Sequence, residues 1–485
     1  MFCRVAMAGL FVGLAGCTKP AVDTGDVIVL QTGRLRGNVY PLDLQADAPL
    51  QHWQFLAGYV KAVREEAAAT GARVLLVDLG DSLGGSFAAH ATGSENMVAF
   101  FNGLAYDALA LSNLDSSAMP ALLGKLKAPV VNPFADAGGQ PATAGTSFAT
   151  SFEKSGLPVS ILANFYGDVD SAGTPDRFPA WFGTTPSGVV PLRDYGPVVE
   201  GLPPKAGGAL RLLTWMKFES SGEVPAAFLS NLKNLGVDAI LAHRIYGGDR
   251  REAWTQDSLV PWDPPVSVNI LRNNGGFAVA RIDLKREGDS WKVIDHRLVP
   301  MTANTAPADE EIVRMISRFA PAISDADKKV ATLPELVDQD SILTAYMNAL
   351  ALVPSTDAVL YSAQSVRSDW PAGELRASRV FNSLPWTTPI VQIKLTPDQL
   401  ARAAKNLALR STVRDGTTDA EVLNVTTSKF FADLITRTLA PDVIAAPTGI
   451  DSEFDYFVEV LQRSPEILQG SGTVPPAESP QRDYP

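Results

Sequence analysis

Only four histidines and two cysteines occur in the 485 residues. Two adjacent divalent ions need about seven or eight nitrogen and oxygen ligands, several of them imidazoles, to fill both coordination spheres. A complete dinuclear site is therefore short of ligands from the outset. His52 stands at the start of a helical stretch, His90 in a small-residue loop and His296 just after a strand, places where exposed or capped imidazoles are expected. Only His243 closes an apolar run and is positioned to join a site. Basic residues are in deficit too, 41 against 53 acidic, for a net charge of −12. An acidic surface repels polyanions, which excludes nucleic acid as a partner. There is no low-complexity tract and no internal repeat, and no apolar run reaches the length of a membrane span.

The N-terminus does carry a targeting pattern. Arg4 supplies a positive charge, Val5 to Gly13 a short apolar stretch, and Leu14-Ala15-Gly16-Cys17 matches the bacterial lipobox. The pattern predicts a signal peptide over 1–16, lipidation of Cys17 and a linker over 17–26. The protein is expected to be a periplasm-facing membrane lipoprotein, and Thr18 after the cysteine is similar to lipoproteins sorted to an outer membrane. Its membrane partner would be reached through that lipid. Since Cys3 leaves with the signal, no internal disulfide can form.

The remaining length exceeds one hydrophobic core, so two domains are expected. Val27 to Leu30 and Val74 to Val77 are continuous apolar runs of the kind found in strands buried on both faces. The helical stretch Trp53 to Thr70 lies between them, which reads as a βαβ unit. Glu95 to Ala105 is a second helical pattern, followed by the strand Ala108 to Leu111. Segments 135–147 and 183–208, rich in Gly, Pro and Thr, read as surface insertions. Four apolar runs end in polar loops, at Gln31 to Gly37, Gly80 to Ser82, Ser112 to Asp115 and His243 to Ile245. Ligands gather where parallel strands end, so these loops outline a crevice.

The loop wording resembles the 5'-nucleotidase/UDP-sugar hydrolase family of calcineurin-like metallophosphoesterases, whose corresponding motifs read like HTNDLHG, GD, GNHE and GHxH. Here they are Gln31-Thr32-Gly33-Arg34-Leu35-Arg36-Gly37, Gly80-Asp81, Ser112-Asn113-Leu114-Asp115 and Ala242-His243-Arg244-Ile245. By this resemblance Asp81 matches the bridging carboxylate, Asn113 the amide ligand and His243 the first histidine of the last motif. Arg34 and Arg36 stand where the family has a metal-binding Asp and His, Leu114 where it has the catalytic His, and Ile245 where it has the last ligand. A further family histidine would fall near Trp215. The implied fold is α/β, a four-layer β-sandwich flanked by helices over 27–305, with a linker helix over 306–335.

A second, smaller α/β domain over 336–469 is implied in the same way. Ser341 to Leu352, Ala358 to Tyr361, Val366-Arg367 and Leu384-Pro385-Trp386-Thr387-Thr388 follow the order of segments resembling SPLGNLIADA, ADVALVN, GGIR and LPFGN. Together the two resemblances span roughly residues 27 to 435. Arg367 matches an arginine that grips polar groups of the ligand, and Trp386 the aromatic ring that stacks on a base. An interdomain salt bridge and a core tryptophan are the alternatives for these two. The glycines that let a backbone approach a ligand are replaced by Ala363-Gln364-Ser365 and by Ala432-Asp433-Leu434-Ile435. Residues 470–485 read as a disordered tail.

A guanidinium is always protonated and has no lone pair for a metal. Three arrangements of the crevice follow. Arg34 or Arg36 pairs with Asp81; a single weak divalent ion sits on Asp81, Asn113 and His243; or Arg34, Arg36, Arg367 and Trp386 line an anion pocket for a phosphate or nucleotide-like ligand. The expected function is a non-catalytic binding or interaction lipoprotein with an unidentified protein partner. The alternative is a residual metal-dependent phosphoesterase.

Overall fold

The computed structural model describes residues 26–41, 53–111, 119–136, 138–166, 190–191, 195–205, 208–218, 226–245, 259–260, 263–271, 278–362, 365–407, 409–414, 416–417, 420–440 and 442–469. Cys17, Asn113, Leu114 and the segment 470–485 lie outside them, as do the first 25 residues and His52.

Strand β1 (Val27–Thr32), helix α1 (Trp53–Thr70) and strand β2 (Arg73–Asp78) form a βαβ unit, the strands parallel with Val27 opposite Arg73 and Thr32 opposite Asp78. Alternate residues of these strands serve two different cores. Ile28, Leu30, Val74 and Leu76 pack with Leu56 and Val60 of α1. Val27, Val29, Leu75 and Val77 instead meet Ile161, Leu210, Leu212 and Leu241. A strand covered on both faces has no polar side to present, which is why its buried run is unbroken Val, Ile and Leu.

The first sheet continues through β3 (Ala108–Ala110) to Val130–Val131, and on its other edge through the antiparallel strands Ala278–Glu287 and Ser290–Pro300. The second six-stranded sheet runs in the order Leu259–Val260, Val266–Leu271, Ala239–Ile245, Leu210–Phe218, Leu157–Tyr166, Ala149–Lys154. Its outer face is capped by Ala226–Asn234, whose Leu232 packs with Leu213, Trp215 and Ile240. Helix, sheet, sheet and helix make four layers. Two motifs are placed differently from their expectation as loops: Gln31 and Thr32 close β1, and His243 to Ile245 are the last three residues of a strand.

Past the sandwich, the segment expected as a linker helix holds two helices, Glu310–Ser317 and Ala320–Ala326, and then a strand, Lys329–Leu333, which pairs with Gly373–Arg376. Ile312 and Ile316 belong to the core under α1, so the first of these helices is fastened to the sandwich. The sheet of the second domain is five-stranded, ordered Leu409–Val413, Ala358–Ser362, Leu423–Ser428, Ile390–Leu395, Ala446–Ile450. Helix α2 (Phe87–Ala91) of the sandwich sends Phe87 and Ala88 into the core of this second unit.

Candidate functional site

The loops after β1 and β2 are joined by their backbones. Arg34 N donates to Gly80 O at 2.8 Å, Arg36 N to Asp81 O at 3.1 Å and Gly37 N to Ser82 O at 2.8 Å. Asp78 anchors the base of this ladder: it accepts from Thr32 Oγ1 at 2.8 Å, from Ser82 Oγ at 3.1 Å and from Gly80 N at 2.9 Å. At its far end Ser86 Oγ, the cap of α2, donates to Gly37 O at 2.6 Å. Arg34, Arg36 and Asp81 all have positive φ, 51°, 48° and 54°. Side chains other than glycine avoid this region at a cost of about 1 kcal/mol each, and such residues concentrate at functional loops.

Both arginines converge on one carboxylate oxygen. Arg34 Nε lies 3.1 Å and Arg36 Nε 3.2 Å from Asp81 Oδ2. Arg34 and Asp81 are buried, with side chains 4% and 5% exposed, whereas Arg36 is 30% exposed and reaches the solvent side.

Arg367 of the second domain lies within electrostatic range of this cluster. Its guanidinium carbon lies 5.4 Å from the centre of the Trp386 ring, and Trp386 Nε1 donates to Ser365 O at 3.4 Å. Crowding by the surrounding protein pulls the Arg367 pKa down to about 10; the positive charges of Arg36 and Arg34 push the same way and Asp81 opposes them. Its side chain is nonetheless reached by solvent, and it remains a cation at neutral pH. Four residues from two domains, Arg34, Arg36, Asp81 and Arg367, thus share one electrostatic environment.

His243 is placed by its backbone, opposite Met216 and Asn269, and Gln31 Nε2 ties β1 to the adjacent Ala242 O at 2.8 Å. Trp215 is fully buried in the outer core of the second sheet. His90 stacks on Phe381 at 5.0 Å and lies 3.8 Å from Asp455, and burial pushes His296 down to about 4 against the opposing pull of Asp295. Among the described residues no group of three or more His, Cys, Asp or Glu side chains is arranged to hold a metal ion, and no helix is long and apolar enough to cross a membrane.

One buried group escaped the sequence reading. Glu453 accepts from Tyr346 Oη at 2.7 Å, from Tyr361 Oη at 2.6 Å and from Thr388 Oγ1, in a small cavity also lined by Trp386. Burial pushes its carboxyl above the usual range, although the hydroxyl donors favour the charged form. From the sequence it is indistinguishable from a first-turn acid that favours a helix start, following Ser452 as it does.

No protein-family model matches the chain, and no curated protein sequence does. Solved structures are similar over nearly its whole length. The 5'-nucleotidase precursor of Thermus thermophilus has a TM-score of 0.63 at 15% identity, covering 90% of this chain and 96% of that one. A 5'-nucleotidase from Candida albicans has a TM-score of 0.58 at 12% identity, covering 91% and 98%. The sulfate thiohydrolase SoxB of Thermus thermophilus has a TM-score of 0.56 at 13% identity, covering 90% and 94%. Shared layers, shared domain order and near-complete mutual coverage lead to one conclusion: this chain has the two-domain fold of the 5'-nucleotidases.

Proposed function

We propose that the protein is a non-catalytic binding lipoprotein on a hydrolase scaffold, held at a bacterial membrane by lipid on Cys17. The observation that carries this reading is the placement of Arg34 Nε and Arg36 Nε on Asp81 Oδ2. A bridging carboxylate must offer its oxygens to two cations, and here one oxygen is held by two guanidiniums. Each guanidinium lacks a lone pair and puts a positive charge where a metal would have to sit. These residues do not fit a two-ion cluster. Leu114 at the family's catalytic histidine position removes the proton donor as well.

Purified full-length protein is expected to carry substoichiometric divalent metal by elemental analysis. It should also hydrolyse AMP and UDP-glucose no faster than a buffer control. Losing the clamp on attacking and leaving oxygens, and losing a general acid, each cost orders of magnitude in rate. Turnover above the control that Asp81→Ala abolishes would overturn the proposal in favour of a one-metal phosphoesterase using Asp81, Asn113 and His243.

A further inference from the structure

We propose that Glu453 is a proton-operated latch on the irregular segment 384–389 of the second domain: ionised, it draws in the Thr388 hydroxyl and seats Trp386 over the cavity beneath; protonated, it releases both. Segment 384–389 lies between the helix Ala377–Ser383 and the strand Ile390–Leu395 and has no regular structure of its own. Its main chain is fastened to the start of the helix Glu453–Arg463, where Glu453 N donates to Thr388 O at 3.0 Å and Phe454 N to Trp386 O at 3.1 Å. What a proton moves here is therefore side chains, the Thr388 hydroxyl and the Trp386 ring that walls the cavity.

The two oxygens of Glu453 are held unequally. Tyr346 Oη at 2.7 Å and Tyr361 Oη at 2.6 Å both donate to Oε2, whereas Thr388 Oγ1 donates to Oε1. The two phenol rings are fixed: each is buried, they meet edge to face at 4.7 Å, and Phe457 and Phe431 pack against them at 4.9 and 5.1 Å. Thr388 is only half-buried. An added proton therefore settles on Oε1, where it meets the Thr388 O–H head on, and a charge-assisted bond gives way to a neutral one in which the threonine has to accept. Burial raises the Glu453 carboxyl above the usual carboxylate range against the pull of its hydroxyl donors, Ser428 included, and pushes both phenols well above theirs. Within the cluster only the carboxyl then changes charge between acid and neutral solution. Among the described residues the cavity wall holds no other charged side chain. Outside it, Arg367 lies 5.4 Å from the centre of the Trp386 ring, and Asp455, two residues along the helix, lies 3.8 Å from His90. The seat of Trp386 is thus also the seat of Arg367.

Full-length protein carrying fluorotryptophan at its eight tryptophans is followed by fluorine NMR from about pH 4 to 8, and Trp386→Phe identifies the Trp386 resonance. That resonance is expected to shift in a single step centred above the ordinary carboxylate range. In Glu453→Gln, which keeps shape and hydrogen-bonding capacity without the charge, the step should vanish and the resonance should stay at its acid position. Thr388→Val removes the transmitting hydroxyl and leaves the carboxyl in place, so the step should shrink; this variant decides the question by itself if Glu453→Gln does not fold. A shift that survives either substitution, as one arising at Asp455 and His90 would, overturns the latch, and so does a Trp386 resonance indifferent to pH.

Discussion

Arg34 and Arg36 reach the same oxygen but differ in what their loss would cost. Asp81 is buried with Arg34 beside it, while Arg36 is partly solvated. Arg34→Gln takes the buried cation away from a desolvated carboxylate and should destabilise the protein by roughly 3 kcal/mol. Arg36→Gln leaves the buried pair intact and should cost about 1 kcal/mol or less. Urea denaturation of both variants checks this, and adding Asp81→Asn to Arg34→Gln should recover much of the loss. Equal costs for the two arginines would contradict the assignment. Glu453 makes a second residue-scale case. Its folded carboxyl keeps a proton to higher pH than in the unfolded chain, so the folded state is disfavoured as pH rises from the ordinary carboxylate range through the folded value; below that range the penalty is absent. Glu453→Gln keeps the size and hydrogen-bonding capacity without the ionisation. Stability curves from about pH 4 to 8 should therefore diverge, wild type losing ground to Glu453→Gln as pH rises. Parallel curves would rule the burial effect out.

At the level of elements, legibility followed how many faces an element buries. β1 and β2 are covered on both sides and announce themselves as apolar runs. The end of α1 at Thr70 is marked by Gly71, whose φ of 77° ends the helix in the left-handed form glycine tolerates. The hairpin Ala149–Lys154 with Leu157–Tyr166 escaped, because its edge strand is half exposed and reads as Ser, Thr and charge. Ser155-Gly156, both at positive φ, was its available signal, a two-residue turn of the kind that closes antiparallel strands. The strand Lys329–Leu333 was hidden for another reason: its partner Gly373–Arg376 is distant in sequence, so nothing local specifies the pairing. The same limit applies to the site. Arg34, Arg36 and Asp81 stand out as motif positions within one βαβ unit, but that Arg367 shares their field depends on how two domains dock. A Cβ on Gly58 of α1 would fall 1.7 Å from the carbonyl oxygen of Pro307, so the chain leaving the sandwich passes directly over the helix.

At the scale of the molecule, the two domains share a core. Phe87 is buried, with its ring 6.1 Å from Phe381 and 6.4 Å from Phe454, while His90 stacks on Phe381 beside it. Phe381 and Phe454 in turn pack at 5.0 Å, so α2 of the sandwich completes an aromatic cluster belonging to the other domain. Tyr40, on the loop that carries Arg34 and Arg36, accepts from Ala88 N at 3.3 Å and joins the same core. The crevice loop and the domain contact are therefore one mechanical unit, and anything that loosens the contact should loosen the site. Phe87→Ala is expected to cost about 3–5 kcal/mol, the transfer loss of a buried ring plus the cavity it leaves. Its effect should also be visible in the shape of the unfolding curve. Wild type, with a continuous core between its domains, is expected to melt in one calorimetric transition, and Phe87→Ala to separate into two as the sandwich and the second domain lose their coupling. If Phe87→Ala lowers the midpoint while a single transition persists, coupling is carried by the remaining contacts, Tyr40 and His90 foremost, and the Phe87 ring is a local core element and not the joint.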